Sequence, residues 1–178
     1  DEAQALISEA HALGIRVLLD IVPNHTSDEH AWFRAALLDE PGARQRYHFR
    51  PGAGDDGALP PNNWQSVFGG PAWTRVADGD WYLHLFAPGQ PDLNWEHEEV
   101  RTEFEDILAF WFDRGVDGFR IDVAHGLVKE PGLPDAVDAA DVARTLVQPT
   151  EGHPAWDQDG VHEVYRGWRS VADRYSPE

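Results

Sequence analysis

Two short apolar stretches decide the architecture: Ile15-Arg16-Val17-Leu18-Leu19-Asp20-Ile21-Val22, closed by Pro23, and Gly118-Phe119-Arg120-Ile121-Asp122-Val123-Ala124. Each is short, rich in β-branched residues and nearly continuous in apolar character. That pattern predicts a strand buried on both faces, as in a parallel sheet. Working outward, Leu6, Ile7, Ala10 and Leu13 fit one helical face, and Gly14 is a natural stop. A short helix is expected over about 28–39, capped by Ser27 or Asp28, with Trp32, Ala35, Ala36 and Leu38 inward. Val100, Phe104, Ile107, Leu108, Trp111 and Phe112 predict a longer helix stopped by Gly115. A short helical pattern falls near 135–146, and a last amphipathic one carries Val161, Val164, Tyr165, Trp168, Val171 and Tyr175. Strands alternating with helices predict an α/β fold with a parallel sheet.

Between these elements, residues 41–96 change texture. Pro51-Gly52, Asp56-Gly57, Pro60-Pro61-Asn62-Asn63 and Gly69-Gly70-Pro71 make the segment loop-rich, and loops this long in a compact domain are usually functional. Trp64, Phe68, Trp73, Trp81, Tyr82 and Phe86 show that it is packed, and Ala72–Val76 with Asp80–Phe86 read as a hairpin.

Composition narrows the function. With 14 Lys+Arg against 32 Asp+Glu in 178 residues, the net charge is −18, and no nucleic-acid partner is expected because phosphate binding needs clustered cations. The same charge argues against an anionic lipid surface, and no apolar run approaches the roughly 20 residues of a membrane helix. Without Cys there is no disulfide framework, thiolate zinc site or Cys nucleophile. Lys129 is the only Lys, a skew that coding bias explains. The absence of Met and the start inside a helical pattern suggest a piece of a longer protein.

The chemistry-bearing residues cluster at strand ends. Asp20 and Asp122 lie in the C-terminal parts of the two strand patterns, where parallel α/β folds place their active sites. Asn24 and His25 follow the first. Arg120 and Asp122 are two apart and share a face, and a buried Arg beside a buried Asp keeps the carboxylate charged, as a carboxylate nucleophile requires. A satisfied ion pair explains that pair equally well, and a turn with a helix cap explains Asn-His.

The full strings add to this. Asp20-Ile21-Val22-Pro23-Asn24-His25, Gln90-Pro91-Asp92-Leu93-Asn94 and Gly118-Phe119-Arg120-Ile121-Asp122-Val123-Ala124, in this order, resemble conserved segments of the α-amylase family of glycoside hydrolases, family 13. The resemblance spans nearly the whole chain and implies a partial (β/α)8 TIM barrel, from about strand 3 to helix 4. Residues 1–40 and 97–178 would be barrel segments, and 41–96 an inserted domain B. It implies retaining hydrolysis of α-glucosidic bonds, with Asp122 as nucleophile, Arg120 orienting it, and His25 donating to the sugar in subsite −1, a contact that strengthens in an oxocarbenium-like transition state. Asp20 and Asn24 match residues that shape the site or support it structurally. Phe86 and His84 are candidate pocket residues, whereas His11, His153 and His162 read as surface residues.

The Gln90–Asn94 form, Pro61-Asn62-Asn63-Trp64 and Phe68-Gly69-Gly70 resemble the α-glucosidase and oligo-1,6-glucosidase branch, which implies a small oligosaccharide substrate. His125-Gly126 stands where starch-cleaving amylases carry Lys-His, and Val123 is a form associated with α-1,6 links. No cofactor is expected. Asn24 and Asp92 match positions of the amylase calcium site, but a full site needs 6–8 oxygens and the branch often lacks the ion. A transglycosylase of the trehalose synthase or sucrose isomerase type remains open, as does a non-catalytic homologue, although Arg120, Asp122 and His25 together argue against a decayed site. A soluble acidic chain without a visible signal suggests the cytoplasm. Retaining chemistry needs a second carboxyl about 5–5.5 Å from the first; the resemblance puts it on a fifth strand, and Glu178 does not read as that residue. The isolated chain is therefore expected to release no glucose from maltose or isomaltose, as a glucose-oxidase assay would show; measurable turnover contradicts this.

Overall fold

The computed structural model describes residues 2–137 and 152–175. In chain order the elements are α1 (Glu2–Ala12), β1 (Leu18–Ile21), α2 (Ala31–Leu37), a 3-10 turn (Ala43–Arg46), β2 (Phe49–Pro51), β3 (Trp73–Arg75), β4 (Asp80–Leu83), α3 (Glu98–Phe112), β5 (Gly118–Ile121), a second 3-10 turn (Ala124–Gly126) and α4 (Val161–Ala172).

The two decisive stretches are strands, and they pair in parallel. β1 lies beside β5 with Leu18 opposite Gly118 and Asp20 opposite Arg120. A β-carbon on Gly118 would come within 2.8 Å of the end of the exposed Leu18 side chain, which would have to shift. Gly14 and Gly115 end α1 and α3 in left-handed conformations, φ +73° and +94°, as the sequence predicts. The expectation of strands buried on both faces does not hold. Leu18 is 66% exposed, and no residue of β5 is fully buried. The reason is that this sheet has two strands, and among the described residues nothing pairs with its outer edges. For the same reason α1 buries only Ile7 of its apolar face, leaving Leu6 and Leu13 exposed.

Residues 41–96 hold a separate three-stranded antiparallel sheet in the order β2-β4-β3. The expected hairpin is β3–β4, with Trp73 opposite Leu83. Its second strand ends at Leu83 because Leu85 turns its N–H to the Asp92 carboxylate, 2.9 Å away. α2 starts later than expected: His30, not Ser27 or Asp28, caps it by accepting from the Trp32 N–H. Of the 135–146 pattern, 135–137 are not helical and the remainder lies outside the described residues, as does Glu178.

Two apolar cores fix these parts. One joins α2, α3 and α4 through Phe33, Tyr47, Leu93, Trp95, Leu108 and Trp168. α4 contributes Val161, Val164, Trp168 and Val171, spaced as a helical face. Trp95 sits at the junction, with its ring 4.9 Å from Phe104 and 5.4 Å from Trp168, and its indole N–H donating to Pro23 O at 2.9 Å. That bond ties the end of β1 to the Gln90–Asn94 segment. The second core gathers Trp64, Trp73, Leu85, Phe86 and Trp156. A cavity of about 480 Å3 lies between α3, β5 and α4; its lining is mostly apolar and includes none of Asp20, His25 or Asp122.

His48, buried beside Lys129 and Arg50, is pushed down to about 3, first by desolvation and then by these two cations. Both folded and unfolded forms are neutral above pH 6.5, so its contribution is fully present there. It is lost as pH falls from 6.5 toward 3, because only the unfolded chain takes up the proton. Urea midpoints of the protein of full family length should therefore fall across that window, by up to about 1.4 kcal/mol per pH unit from this residue. His48→Gln should flatten the slope; an unchanged slope would show that His48 is not the group responsible.

Candidate active site

β1 and β5 deliver their carboxylates to one end of the sheet. Asp20 and Arg120 are cross-strand partners, and Asp122 follows the last residue of β5 with its N–H bonded to Ile21 O at 2.9 Å. Arg120 bridges the two acids: one guanidinium nitrogen donates to Asp20, and Nη2 donates to Asp122 Oδ1 at 2.9 Å. The carboxylates hold the guanidinium pKa above its ordinary value, Asp20 more strongly than Asp122. Contrary to the expected buried pair, these side chains are open to solvent, with Arg120 62% and Asp122 41% exposed. Two strands alone wall off little of the sheet end, so solvent screens the pair.

The turn after the nucleophile candidate is tight. Val123 has φ +50° and ψ +34°, a left-handed conformation that is costly for a β-branched residue. It is held by Gly126 N–H to Val123 O at 2.9 Å. Gly126 is required there, since a β-carbon would meet the Trp156 ring at 2.5 Å and Val123 at 2.9 Å. His125 stacks on Trp156 at 4.9 Å.

His25 comes to the same end from the loop after β1. The loop is pinned by Leu93 N–H to Asn24 O (2.9 Å) and by the His25–Asp92 bridge. Burial lowers the His25 pKa; Asp92 and Asp122 oppose the shift and Lys129 adds to it, which places the imidazole within electrostatic reach of Asp122. Phe86 lies against it, ring centroids 5.3 Å apart, and Phe68 sits 6.0 Å from Phe86. Asp20, Asn24, His25, Phe86, Arg120 and Asp122 are therefore neighbours along one sheet end and its adjoining loop. His84 is not among them: it is buried, sharing hydrogen bonds with Thr74 and Phe86 O. His153 is also buried, not on the surface, against Trp64.

The sequence reading missed Lys129. Its ammonium is fully buried, 3.0 Å from Asp92 Oδ2 and 3.0 Å from Asn24 Oδ1, and it also reaches Gly126 O. Burial lowers its pKa and Asp92 raises it again. That it is the only lysine was a visible signal. The oxygens of Asn24 and Asp92, at the positions matched to the amylase calcium site, instead surround the cationic Lys129 side chain.

Comparison with known proteins places the chain in a family. The α-amylase catalytic-domain model matches residues 1–178. The chain belongs to this family. It is 50% identical over 139 residues to Escherichia coli trehalose-6-phosphate hydrolase, covering 78% of this chain and 25% of that protein. It is 44% identical over 135 residues to an oligo-1,6-glucosidase of Bacillus sp. strain F5, covering 76% and 26%. The crystal structure of isomaltulose synthase from Klebsiella sp. LX3 superposes with a TM-score of 0.82 at 35% identity, covering 97% of this chain and 30% of that one. The chain thus spans about a quarter of the length of the curated relatives it matches.

Lys129→Met should be strongly destabilising, by about 3–5 kcal/mol, because it leaves the fully buried Asp92 carboxylate without a counter-charge. Pairing it with Asp92→Asn should recover much of the loss. Chemical denaturation of the single and double variants reads both, and additive losses would contradict the coupling.

Proposed function

We propose that this chain is the nucleophile-bearing portion of a retaining α-glucoside hydrolase that acts on short, uncharged α-1,4- or α-1,6-linked gluco-oligosaccharides. The observation that carries the reading is the Arg120 bridge to Asp122 at the shared end of two parallel strands, with His25 and Phe86 beside it. On this reading residues 1–40 and 97–178 are barrel segments from about the third strand to the fourth helix, and 41–96 form the inserted domain B.

In the mechanism, an Asp122 oxygen attacks the anomeric carbon and the glycosidic C–O bond breaks, giving a covalent glycosyl-enzyme; water then releases the sugar. Arg120 occupies Asp122 Oδ1, which leaves Oδ2 as the attacking atom. His25 contacts a hydroxyl of the sugar as charge develops on the ring. Phe86 offers an apolar wall, and Asp20 and Asn24 act through Arg120 and Lys129. The general acid/base carboxyl belongs to the part of a relative's length that these residues do not cover.

Several relatives, the Escherichia coli protein among them, are named as hydrolases of a phosphorylated disaccharide, trehalose-6-phosphate. A neutral sugar is favoured here because the cations placed at this cluster by the described residues, Arg120 and Lys129, are both committed to carboxylates. Isomaltulose synthase likeness keeps sugar transfer as the second reading, since it shares the nucleophile and differs only in what captures the intermediate.

In the protein of full family length, Asp122→Asn should lower kcat on isomaltose or maltose by at least about 10^4, an estimate set by analogy with loss of a catalytic nucleophile, with an unchanged melting temperature. Near-wild-type turnover would remove Asp122 from the role. Product analysis separates the readings: free glucose means hydrolysis, an isomeric disaccharide means transfer, and cleavage confined to phosphorylated trehalose rejects the neutral-sugar assignment.

A further inference from the structure

Among the residues of the site, Gln90 has no role in the mechanism above, yet its amide is held in one orientation. Its Oε1 accepts from the Ala87 N–H at 3.1 Å, and its Nε2 lies 2.9 Å from His25 Nε2. Exchanging the two amide atoms would set an NH2 against the Ala87 N–H, so the amide donates to the imidazole. Nε2 of His25 must then carry the lone pair, and the ring proton resides on Nδ1.

The neighbour at Nδ1 opposes this, but through a longer contact. Asn24 gives its Oδ1 to the Lys129 ammonium at 3.0 Å, so its NH2 is what faces His25 Nδ1, at 3.3 Å. Two amide NH2 groups thus approach one imidazole, and a neutral ring can accept from only one of them. The shorter contact, from Gln90, wins, and the proton on Nδ1 has no acceptor in this pair of contacts. The charged groups felt by the ring are Asp92, Lys129 and Asp122, and Phe86 closes one side.

We propose that Gln90 is the positioning residue of His25: it fixes the imidazole as the Nδ1–H tautomer, a donor that an oxygen of the bound sugar takes by displacing the 3.3 Å Asn24 contact. The assignment rests on the glucosidase reading for its use in catalysis, but the tautomer does not. A ring free to exchange tautomers would offer the sugar a donor for only part of the time. Gln90 acts through His25, without touching the reacting atoms.

The test is nitrogen-15 NMR of the histidine rings in the protein of full family length, with the His25 signals assigned by their loss in His25→Asn. The wild type should show a pyridine-type Nε2 and a pyrrole-type Nδ1. Gln90→Glu replaces the donor with an acceptor-only group at nearly the same shape, and should move the proton to Nε2. Gln90→Leu, with neither, should give a mixture. On isomaltose, Gln90→Glu should lower kcat by roughly tenfold to a hundredfold, with KM changed less than about twofold, because the misplaced donor is missed most in the transition state. A wild-type ring protonated on Nε2, or a tautomer unmoved by Gln90→Glu, overturns the proposal. A tautomer that moves as expected in a protein that cleaves no α-glucoside supports the hold of Gln90 on His25 and overturns the glucosidase reading instead.

Discussion

The site depends on the register of two parallel strands. Because Asp20 sits opposite Arg120 and Asp122 follows two residues later, one guanidinium reaches both carboxylates. A shift of one residue in β5 would turn Arg120 and Asp122 together to the other side of the sheet, and one in β1 would turn Asp20; either separates the two acids. The pairing is extended to the residue that matters by the Asp122 N–H bond to Ile21 O.

A second constraint is the buried Lys129. It links the loop after β1, through Asn24, to the Gln90–Asn94 segment, through Asp92, and to the turn after β5, through Gly126. These three stretches are the ones that carry His25, Gln90 and Asp122. A single ammonium therefore holds together the backbone of the whole cluster, and its burial is tolerated because a carboxylate, an amide oxygen and a carbonyl surround it. The strained turn at Val123 is compatible with the same arrangement, since it bends the chain from the end of β5 toward the Gly126 carbonyl, which accepts from Lys129.

Much of this was legible in the sequence, and the rest was hidden for physical reasons. Apolar runs around Asp20 and Asp122 and the left-handed glycines after α1 and α3 gave the β-α-β order, because period and stop signals are local. The hairpin at β3–β4 was visible in its aromatic strands and Asp78-Gly79 turn, whereas β2 was too short and too full of Arg and Pro to show. Burial was misjudged for β1 and β5 because it depends on neighbours that the strands do not encode. Lys129 was read as a compositional remnant, since nothing local marks a residue whose partners lie 37 and 105 positions away. His84 and His153 were misplaced for the same reason: whether a histidine faces a pocket, the core or water is decided by tertiary packing.

The central claim is that Asp122, held by Arg120, forms the covalent bond to the sugar. Its most direct test is to treat the protein of full family length with an α-glucosyl fluoride that carries a second fluorine slowing release, and to map the adduct by peptide mass spectrometry. The account predicts one glucosyl-type adduct on the peptide containing Asp122, absent from Asp122→Asn. An adduct on another carboxylate, or none from a protein that turns over the substrate, would contradict it.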